Sequence, residues 1–291
     1  MLEGIIVRGY SGFYYVQTGS ETWECRLRGK YRVKHQDFLV GDRVLITPVG
    51  QQKGVIEKVL ERKNQLVRPP VANVEQVVIV VSLDSPPPDL MLLDRLLVLA
   101  EFHGLDSVIV FNKADLVTPA AMEKFRSVYE NIGYRVILSS ARTLMGIDAL
   151  RESLKDKISV LAGPSGVGKS SLLNAVQPGL SLKTGEVSHK TKRGRHTTRH
   201  VELMRLAEGG FVADTPGFSR LNLTDMTREE LSDYFPEMSR LRSNCRFSSC
   251  LHYTEPDCAV RSALDAGLID SGRYHHYLYL LEEVMANERR Y

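Results

Sequence analysis

The sequence has no long hydrophobic run. A membrane-spanning helix needs about 20 apolar residues, whereas the longest apolar stretch, 77–83, has the length of one strand. The first residues, Met1-Leu2-Glu3-Gly4, lack the basic and then apolar layout of a signal peptide. The sequence therefore predicts neither a membrane protein nor a secreted one, and we expect a cytoplasmic location. Its 291 residues, 43% of them hydrophobic, indicate a globular chain of two or three domains.

Cysteine is also scarce, with four residues in the chain, and this excludes a disulfide scaffold. Cys25 stands alone and is expected to be a buried strand residue. The other three lie within fourteen residues, where with one histidine they form a complete tetrahedral ligand set for one structural Zn²⁺. Their spacing departs from C-x2-C, and reduced core cysteines are the alternative. His275 and His276 are expected to be surface residues rather than ligands. The predicted zinc ligands are Cys245, Cys250, His252 and Cys258.

A strong excess of one charge is absent, since the net charge is only +3. The charge is uneven, however, because residues 1–68 carry a net +5 and residues 181–220 a net +4. An extended segment would place the alternating basic residues on one face. These regions favour a polyanionic partner such as RNA, with ordinary solvated surfaces as the alternative. The alternating residues are Arg26, Arg28, Lys30, Arg32 and Lys34.

The first part of the chain has the pattern of short strands. Residues 4–60 contain five runs rich in Val, Ile, Tyr and Thr with turn residues between them. This is typical of a small antiparallel barrel, either an OB-fold or an SH3-like barrel. Residues 62–70 end in two prolines and are predicted to be a linker without regular structure. The predicted strands are 4–10, 12–17, 22–27, 42–47 and 53–59.

From residue 77 onward, apolar strands alternate with segments of helical spacing. Strands buried on both faces with helical connections predict a doubly wound, mostly parallel α/β sheet. Two further helices are predicted at 227–238 and 270–288, around the zinc site. The expected fold class is multi-domain α/β: an OB-fold barrel at 1–65, a doubly wound α/β domain at 66–220 and a helical zinc-binding domain at 221–291.

The phosphate-binding motif is the clearest signal in the sequence. Residues 163–170 fit G-x4-G-K-[ST] and lie between a predicted strand and a predicted helix. In this motif backbone N–H groups surround phosphates, the lysine, here Lys169, reaches the β and γ oxygens, and the serine hydroxyl, here Ser170, binds Mg²⁺. An accidental glycine turn would not have the correct flanking elements. The predicted nucleotide-binding residues here are Gly163, Pro164, Ser165, Gly166, Val167, Gly168, Lys169, Ser170 and Ser171.

Three further motifs predict that the nucleotide is GTP with Mg²⁺. Asn112-Lys113-Ala114-Asp115 matches N-K-x-D, in which the carboxylate accepts from guanine N1–H and the exocyclic amine; adenine lacks these donors. Ser139-Ser140-Ala141 matches a second guanine-contacting loop. Asp214 and Gly217 match D-x-x-G, which acts on Mg²⁺ and the γ-phosphate. N-K-x-D and S-A precede the P-loop here, which indicates a circularly permuted GTPase.

The predicted hydrolytic segment is the polar, basic stretch 185–200, typical of a loop that is ordered only when bound. Thr197 or Thr198 should supply another Mg²⁺ ligand, and Thr198 is preferred. Phe218 follows D-x-x-G, where many GTPases have a water-orienting glutamine, and its ring cannot orient water. His196 is the best replacement; the alternative is a solvated residue or a contact to RNA phosphate.

In combination, these features resemble the RsgA/YjeQ family of small ribosomal subunit biogenesis GTPases. They are the barrel-like start, the permuted motifs, the Gly-Arg-His-Thr-Thr segment at 194–198 and the terminal Cys-Cys-His-Cys set. The resemblance implies a barrel and a zinc domain that dock on 16S rRNA of the 30S subunit late in its maturation. It also implies weak GTPase activity that the subunit stimulates, release on hydrolysis, and a catalytic histidine, here His196. Arg199, where some members continue the threonine run, leaves the choice between Thr197 and Thr198 open.

Three other functions are compatible with parts of the sequence. A P-loop kinase or ATPase is disfavoured by Asn112–Asp115. A binding module with GTP as a structural ligand is conceivable because of Phe218. A permuted GTPase that acts on the large subunit or another RNA is disfavoured by the barrel and zinc domains. We expect a monomer with no membrane and no DNA partner.

Overall fold

The computed structural model describes residues 1–10, 12–28, 38–67, 69–180, 201–213 and 223–289. The chain divides into two compact units. One comprises Met1–Gln76, Ile147–Leu161 and Lys169–Phe218, and the other comprises Val77–Gly146, Ala162–Gly168 and Ser219–Tyr291.

The N-terminal strands form a closed five-stranded barrel in the order β1-β2-β3-β5-β4. β3 pairs with β5 in parallel, whereas the pairs β1–β2, β1–β4, β2–β3 and β4–β5 are antiparallel. Apolar residues at every second position point inward, and the fully buried Ile6, Val16, Cys25, Val44, Ile46 and Ile56 form the core. This OB-like barrel confirms the expected fold, and Cys25 is the buried strand residue predicted. The strands are β1 (Leu2–Tyr10), β2 (Phe13–Thr18), β3 (Glu21–Leu27), β4 (Arg43–Gly50) and β5 (Lys53–Val59).

The predicted linker 62–70 is wrong, because this stretch contributes to a hairpin. β6 (Gln65–Val67) pairs antiparallel with β7 (Pro70–Ala72). Pro70 is the first residue of its strand, a position at which proline is tolerated because its missing N–H is not needed there. Arg62 anchors the hairpin to the barrel, since its Nε and Nη2 donate to the two carboxylate oxygens of the buried Asp42, at 2.6 and 2.9 Å.

A six-stranded sheet has the order β10-β9-β8-β11-β13-β12. β10 pairs with β9 in parallel and β11 with β13 in parallel, as predicted, while the edge strand β12 pairs antiparallel with β13. β12 was not predicted, because three residues carry too little periodicity. The strands are β8 (Gln76–Ser82), β9 (Asp106–Asn112), β10 (Arg135–Leu138), β11 (Ile158–Ala162), β12 (Leu203–Arg205) and β13 (Phe211–Ala213).

Among the described residues, four α-helices accompany the sheet strands and three follow residue 235. The prediction of a helix at 227–238 is wrong: a 3₁₀ turn at Leu231–Tyr234 is followed by a separate helix that begins at Pro236, where proline starts a helix but cannot continue one. None of the described helices is long and apolar enough to span a membrane. The helices are α1 (Leu90–Phe102), α2 (Pro119–Ile132), α3 (Ile147–Leu154), α4 (Lys169–Val176), α5 (Pro236–Arg242), α6 (Ala259–Asp265) and α7 (Ser271–Glu288).

Candidate functional site

The P-loop motif forms the turn between β11 and α4. Its backbone requires glycine, because Gly163 and Gly168 have positive φ angles of 127° and 97°. A Cβ atom at Gly168 would lie 2.3 Å from Asn112 Nδ2, and one at Gly163 would lie 2.3 Å from the carbonyl oxygen of Val80. Other loops therefore approach this turn so closely that a side chain would displace them. Lys169, Ser170 and Ser171 form the first turn of α4, where exposed N–H groups favour an anion.

Asn112 joins the predicted guanine loop to the P-loop. It is the last residue of β9 and is 2% exposed. Its Nδ2 donates a hydrogen bond to the carbonyl oxygen of Val167 at 2.8 Å, and its Oδ1 accepts from the Ser139 hydroxyl at 3.4 Å. The structure thus brings together three segments of the sequence, of which the first and the last are 55 residues apart.

Lys113 adds a second connection to the same turn. Its backbone is left-handed, with φ of 62°, which directs the chain into a short 3₁₀ turn at Ala114–Leu116. Its Nζ donates to the carbonyl oxygen of Gly166 at 2.9 Å and also to that of Ser85. The contact with Ser85 could not be found from the sequence, because no motif marks the loop after β8.

Asp115 is held by the second predicted guanine loop. The Ser140 hydroxyl donates to its carboxylate, and Arg142 Nη2 lies 2.9 Å from its Oδ2. These contacts lower the pKa of Asp115 below its ordinary value, with the Ser140 hydrogen bond the main cause. The backbone N–H of Ala114 donates to the carbonyl oxygen of Ser139 at 3.0 Å, and Ala141 is half-buried in the same loop. The carboxylate is therefore ionised and oriented, as an acceptor for two guanine donors must be.

Several predicted residues lie outside the described part of the chain. They include the predicted catalytic residue, the threonines considered for Mg²⁺ and the D-x-x-G residues. β13 ends at Ala213, immediately before the first D-x-x-G residue in sequence. The residues concerned are His196, Thr197, Thr198, Asp214, Gly217 and Phe218.

The four predicted zinc ligands lie together, with their ligand atoms all within 4.8 Å of one another. His252 Nδ1 is 3.3 Å from Cys258 Sγ and 3.6 Å from Cys245 Sγ, and the two sulfurs are 4.0 Å apart. Four ligands at about 2.3 Å from one tetrahedral ion would be about 3.8 Å apart. The cluster, completed by Cys250, therefore has the dimensions of a closed metal site.

Burial of this cluster opposes ionisation of its thiols. Burial raises the pKa of Cys250 to about 12 and also raises that of Cys258, while it lowers the pKa of His252. Without a cation the thiols stay protonated, whereas a bound metal ion would stabilise the thiolates. The surrounding backbone is supported by α7, because the hydroxyls of Tyr274 and Tyr277 donate to the carbonyl oxygens of His252 and Leu251 at 2.7 and 2.6 Å.

The expectation for His276 requires a correction. This residue is not at the surface, since its side chain is only 24% exposed and its Nδ1 lies 2.6 Å from Asp94 Oδ2. The fully buried Asp94 also pairs with the buried Arg273, which in turn binds Glu237. Neither His275 nor His276 belongs to the metal cluster; His275 is exposed, and its ring contacts the Ser271 carbonyl oxygen. Helical spacing gave no sign of this buried network because its members come from three different helices.

Comparisons with known proteins cover the whole chain. A family model described as RsgA GTPase matches residues 59–224, and one described as RsgA N-terminal domain matches residues 3–56. A protein of Moorella thermoacetica named small ribosomal subunit biogenesis GTPase RsgA is 57% identical over 290 residues, which is 100% of both chains. A protein of the same name from Carboxydothermus hydrogenoformans is 52% identical and covers 99% of both chains.

Two solved structures share the fold along nearly the full length. The crystal structure of YjeQ from Thermotoga maritima has a TM-score of 0.84 at 41% identity and covers 98% of each chain. YloQ, described as a circularly permuted GTPase, has a TM-score of 0.84 at 39% identity and covers 98% of this chain and 96% of its own. Since the GTPase model alone matches more than half of the chain and the identity to relatives extends from end to end, this chain belongs to the RsgA family of circularly permuted GTPases.

Proposed function

We propose that this protein hydrolyses GTP while it assists late maturation of the small ribosomal subunit. It binds the 30S particle through 16S rRNA, and hydrolysis releases it. The observation that carries the proposal is a full-length relative at 57% identity that bears the name small ribosomal subunit biogenesis GTPase. The connected loops at Asn112, Asp115 and 163–168 support the nucleotide part, because they join a base-reading acceptor to a phosphate-binding turn.

Guanine recognition is assigned to the two loops that meet at Asp115. The ionised carboxylate accepts from N1–H and the exocyclic amine, and Ser140 keeps it oriented. The aliphatic part of Lys113 extends from this loop to Gly166 and would cover one face of the base. Adenine would leave the carboxylate without donors, so selection for GTP follows from an unpaired acceptor. The base-contacting residues are Asn112, Lys113, Ala114, Asp115, Ser139, Ser140 and Ala141.

Phosphate binding is assigned to the turn 163–168 and the first residues of α4. Lys169 neutralises the β and γ oxygens, and the backbone N–H groups of the turn donate hydrogen bonds to the phosphate oxygens. Ser170 and Thr198 would hold Mg²⁺, Asp214 would act on the ion through water, and Gly217 would contact the γ-phosphate. The ion supplies charge neutralisation between the β- and γ-phosphates.

Water activation is assigned to His196, because Phe218 cannot orient water. An imidazole accepts a proton near neutral pH, and its position in a basic segment would allow RNA to influence it. We expect this histidine to reach the water only when the particle is bound. Turnover would therefore be slow in the free protein and fast on the subunit.

The cluster at Cys245, Cys250, His252 and Cys258 is proposed to hold one structural Zn²⁺. Three thiolates and one imidazole leave no open coordination position, so the ion would support the fold and take no part in hydrolysis. The barrel at 1–65 is proposed as an RNA-binding domain, since Arg26 stacks on Phe13 at 4.7 Å beside a basic stretch. The GTPase domain is proposed to extend over 66–220 and the zinc domain over 221–291, in a monomeric, cytoplasmic protein.

The decisive experiment measures GTP hydrolysis with and without purified small subunits. Small subunits are expected to increase phosphate release strongly, whereas large subunits and excess ATP should have little effect. Stimulation by large subunits alone would assign the protein to the other particle. Equal turnover with and without small subunits would leave GTP as a structural ligand and contradict the proposal.

A further inference from the structure

An isolated β-bridge joins the barrel to the residue that precedes the edge strand β12, within one compact unit. Arg8, near the end of β1, forms an isolated antiparallel β-bridge with Glu202, and its Nη1 lies 3.6 Å from Glu202 Oε1. The pairing of β1 with β2 shifts register between Ile6 and Arg8, which indicates a bulge at this point. Bulges redirect the side chain that follows them. The guanidinium of Arg8 also stacks on the ring of Tyr15 at 4.1 Å.

Two predicted functional segments adjoin the strands near this bridge in sequence. Segment 185–200 precedes β12, and the D-x-x-G residues follow β13. Leu203, the first residue of β12, pairs with Ala213, the last residue of β13. In an antiparallel pair, the start of one strand and the end of the other are at the same end of the ladder. Glu202 therefore lies at the end of the ladder from which the chain proceeds to Asp214. In the other direction, Thr198 is four residues before Glu202 in sequence.

We propose that Arg8 and Glu202 couple the barrel to GTP hydrolysis, with Glu202 as a positioning residue that acts through β12. The inference rests on the proposed function, since it explains how RNA bound to the barrel changes turnover. β12 has only three residues and occupies a sheet edge, so few hydrogen bonds define its position. A partner that favours one position of β1 would, through the bridge, favour one position of β12.

Because both side chains of the pair are exposed, an effect of their substitution on coupling can be distinguished from an effect on folding stability. The side chains of Arg8 and Glu202 are 44% and 54% exposed. Exposed ion pairs contribute little to folding free energy, so reversal of either charge should leave the protein folded. A change in the ratio of stimulated to basal turnover would then result from altered coupling between the barrel and GTP hydrolysis, and not from unfolding.

The test is a charge-reversal cycle in the full chain, with Arg8→Glu, Glu202→Arg and the double variant. Basal turnover, stimulated turnover on purified small subunits and GDP affinity are measured for each. Each single variant is expected to lower the ratio of stimulated to basal turnover by about fivefold or more, a typical coupling for contacting residues. The double variant should recover the wild-type ratio to within about twofold, with basal turnover and GDP affinity unchanged throughout.

An exposed ion pair outside the barrel provides the matched control. Arg126 in α2 is 44% exposed, as Arg8 is, and pairs with Glu130 at 2.8 Å, so Arg126→Glu reverses the same charge as Arg8→Glu without touching the barrel or β12. The control should keep the wild-type ratio. If Arg8→Glu lowers the ratio and the double variant does not restore it, Arg8 contacts RNA directly and the coupling is refuted. An unchanged ratio in Glu202→Arg also refutes it, whereas absence of stimulation in the wild type refutes the proposed function itself.

Discussion

Asn112 and Lys113 each donate a hydrogen bond to a carbonyl oxygen of the P-loop turn. The loop proposed to read the base and the turn proposed to hold phosphates are therefore connected directly by hydrogen bonds within the protein. Such connections reduce the conformational freedom that ligand binding must otherwise remove. This close approach requires glycine at position 168, because there is no space for a Cβ atom there.

Asp115 gives the sharpest prediction for nucleotide choice. Asp115→Asn replaces one acceptor by a donor, so affinity for GDP should fall at least about 100-fold, as in sites built around a hydrogen bond. Affinity for xanthosine diphosphate, which has an acceptor in place of the exocyclic amine, should rise. Because Ser140 lowers the pKa of Asp115, the ratio of wild-type to Asp115→Asn affinity for GDP should be constant from about pH 8 to pH 5; ionisation of the GDP phosphate affects both proteins equally and cancels in this ratio. Titration calorimetry measures these affinities, and a variant that retains guanine preference would contradict the assignment.

His196 gives a prediction about turnover rather than binding. His196→Ala should retain GTP affinity but lose at least about 100-fold of the subunit-stimulated rate, the usual contribution of a general base. Lys169→Ala serves as the contrasting variant, because loss of the main phosphate cation should abolish nucleotide binding or turnover. Single-turnover hydrolysis on small subunits measures the effect. Stimulated rates equal to wild type would eliminate the catalytic role of His196.

At the scale of elements, the metal cluster holds the segment between α5 and α6. Cys258 also caps α6, since its Sγ accepts from the backbone N–H of Arg261 at 3.5 Å. Glu255 secures the same segment by accepting from the N–H groups of Leu251 and Tyr253. Burial acts to raise the pKa of Glu255, but these backbone donors lower it overall. The segment thus depends on these polar contacts and on the Cys3His set.

Metal removal should therefore destabilise this segment first. Metal analysis is expected to give one zinc ion per chain, and chelation should lower the melting temperature. Cys258→Ser should lose the ion and show the same change, whereas Cys25→Ser should retain full zinc content because Cys25 lies in the barrel core. Full retention of metal by Cys258→Ser would contradict the ligand set.

The buried network of Asp94, Arg273 and Glu237 joins α1, α5 and α7. Arg273→Met should lower unfolding free energy by about 3–5 kcal/mol, because it leaves two carboxylates without their cation in a buried site. Arg126→Met, which removes an exposed partner of Glu130, should cost no more than about 1 kcal/mol. Urea denaturation of the zinc-loaded protein compares the two. Equal midpoints would contradict the importance of the network.

At the scale of the whole molecule, basic regions near residues 1–68 and 181–220 are separated by less basic segments. If they contact rRNA phosphates, the affinity for small subunits should fall linearly with the logarithm of salt concentration, because bound counterions are released. The apparent KM for subunits, measured by turnover at saturating GTP over a salt series, tests this. A salt-independent KM would show that the basic regions do not contact phosphate.

Much of the fold was predictable from the sequence because the signals are local. The helix Pro119–Ile132 follows the hydrophobic spacing of the sequence and lies between the capping residues Thr118 and Gly133, and Ile147–Leu154 has the same helical spacing. The hairpin at Gln65–Val67 was missed because its two strands are short and its prolines indicated only a break. The helix α6 was missed because its seven residues begin inside the metal-binding segment.

The sequence by itself determined which residues are proposed for the phosphate turn, the guanine loops and the metal ligand set, because each proposal depends on residue types at a short, regular spacing. Only the tertiary structure decided which residues support them. Arg142 on Asp115, Ser85 on Lys113 and Arg273 on Asp94 are pairs that need folded loops or helices to meet. A charged residue at the surface of one element has no spacing signal that identifies its partner on another, so such contacts emerge only when the chain is packed.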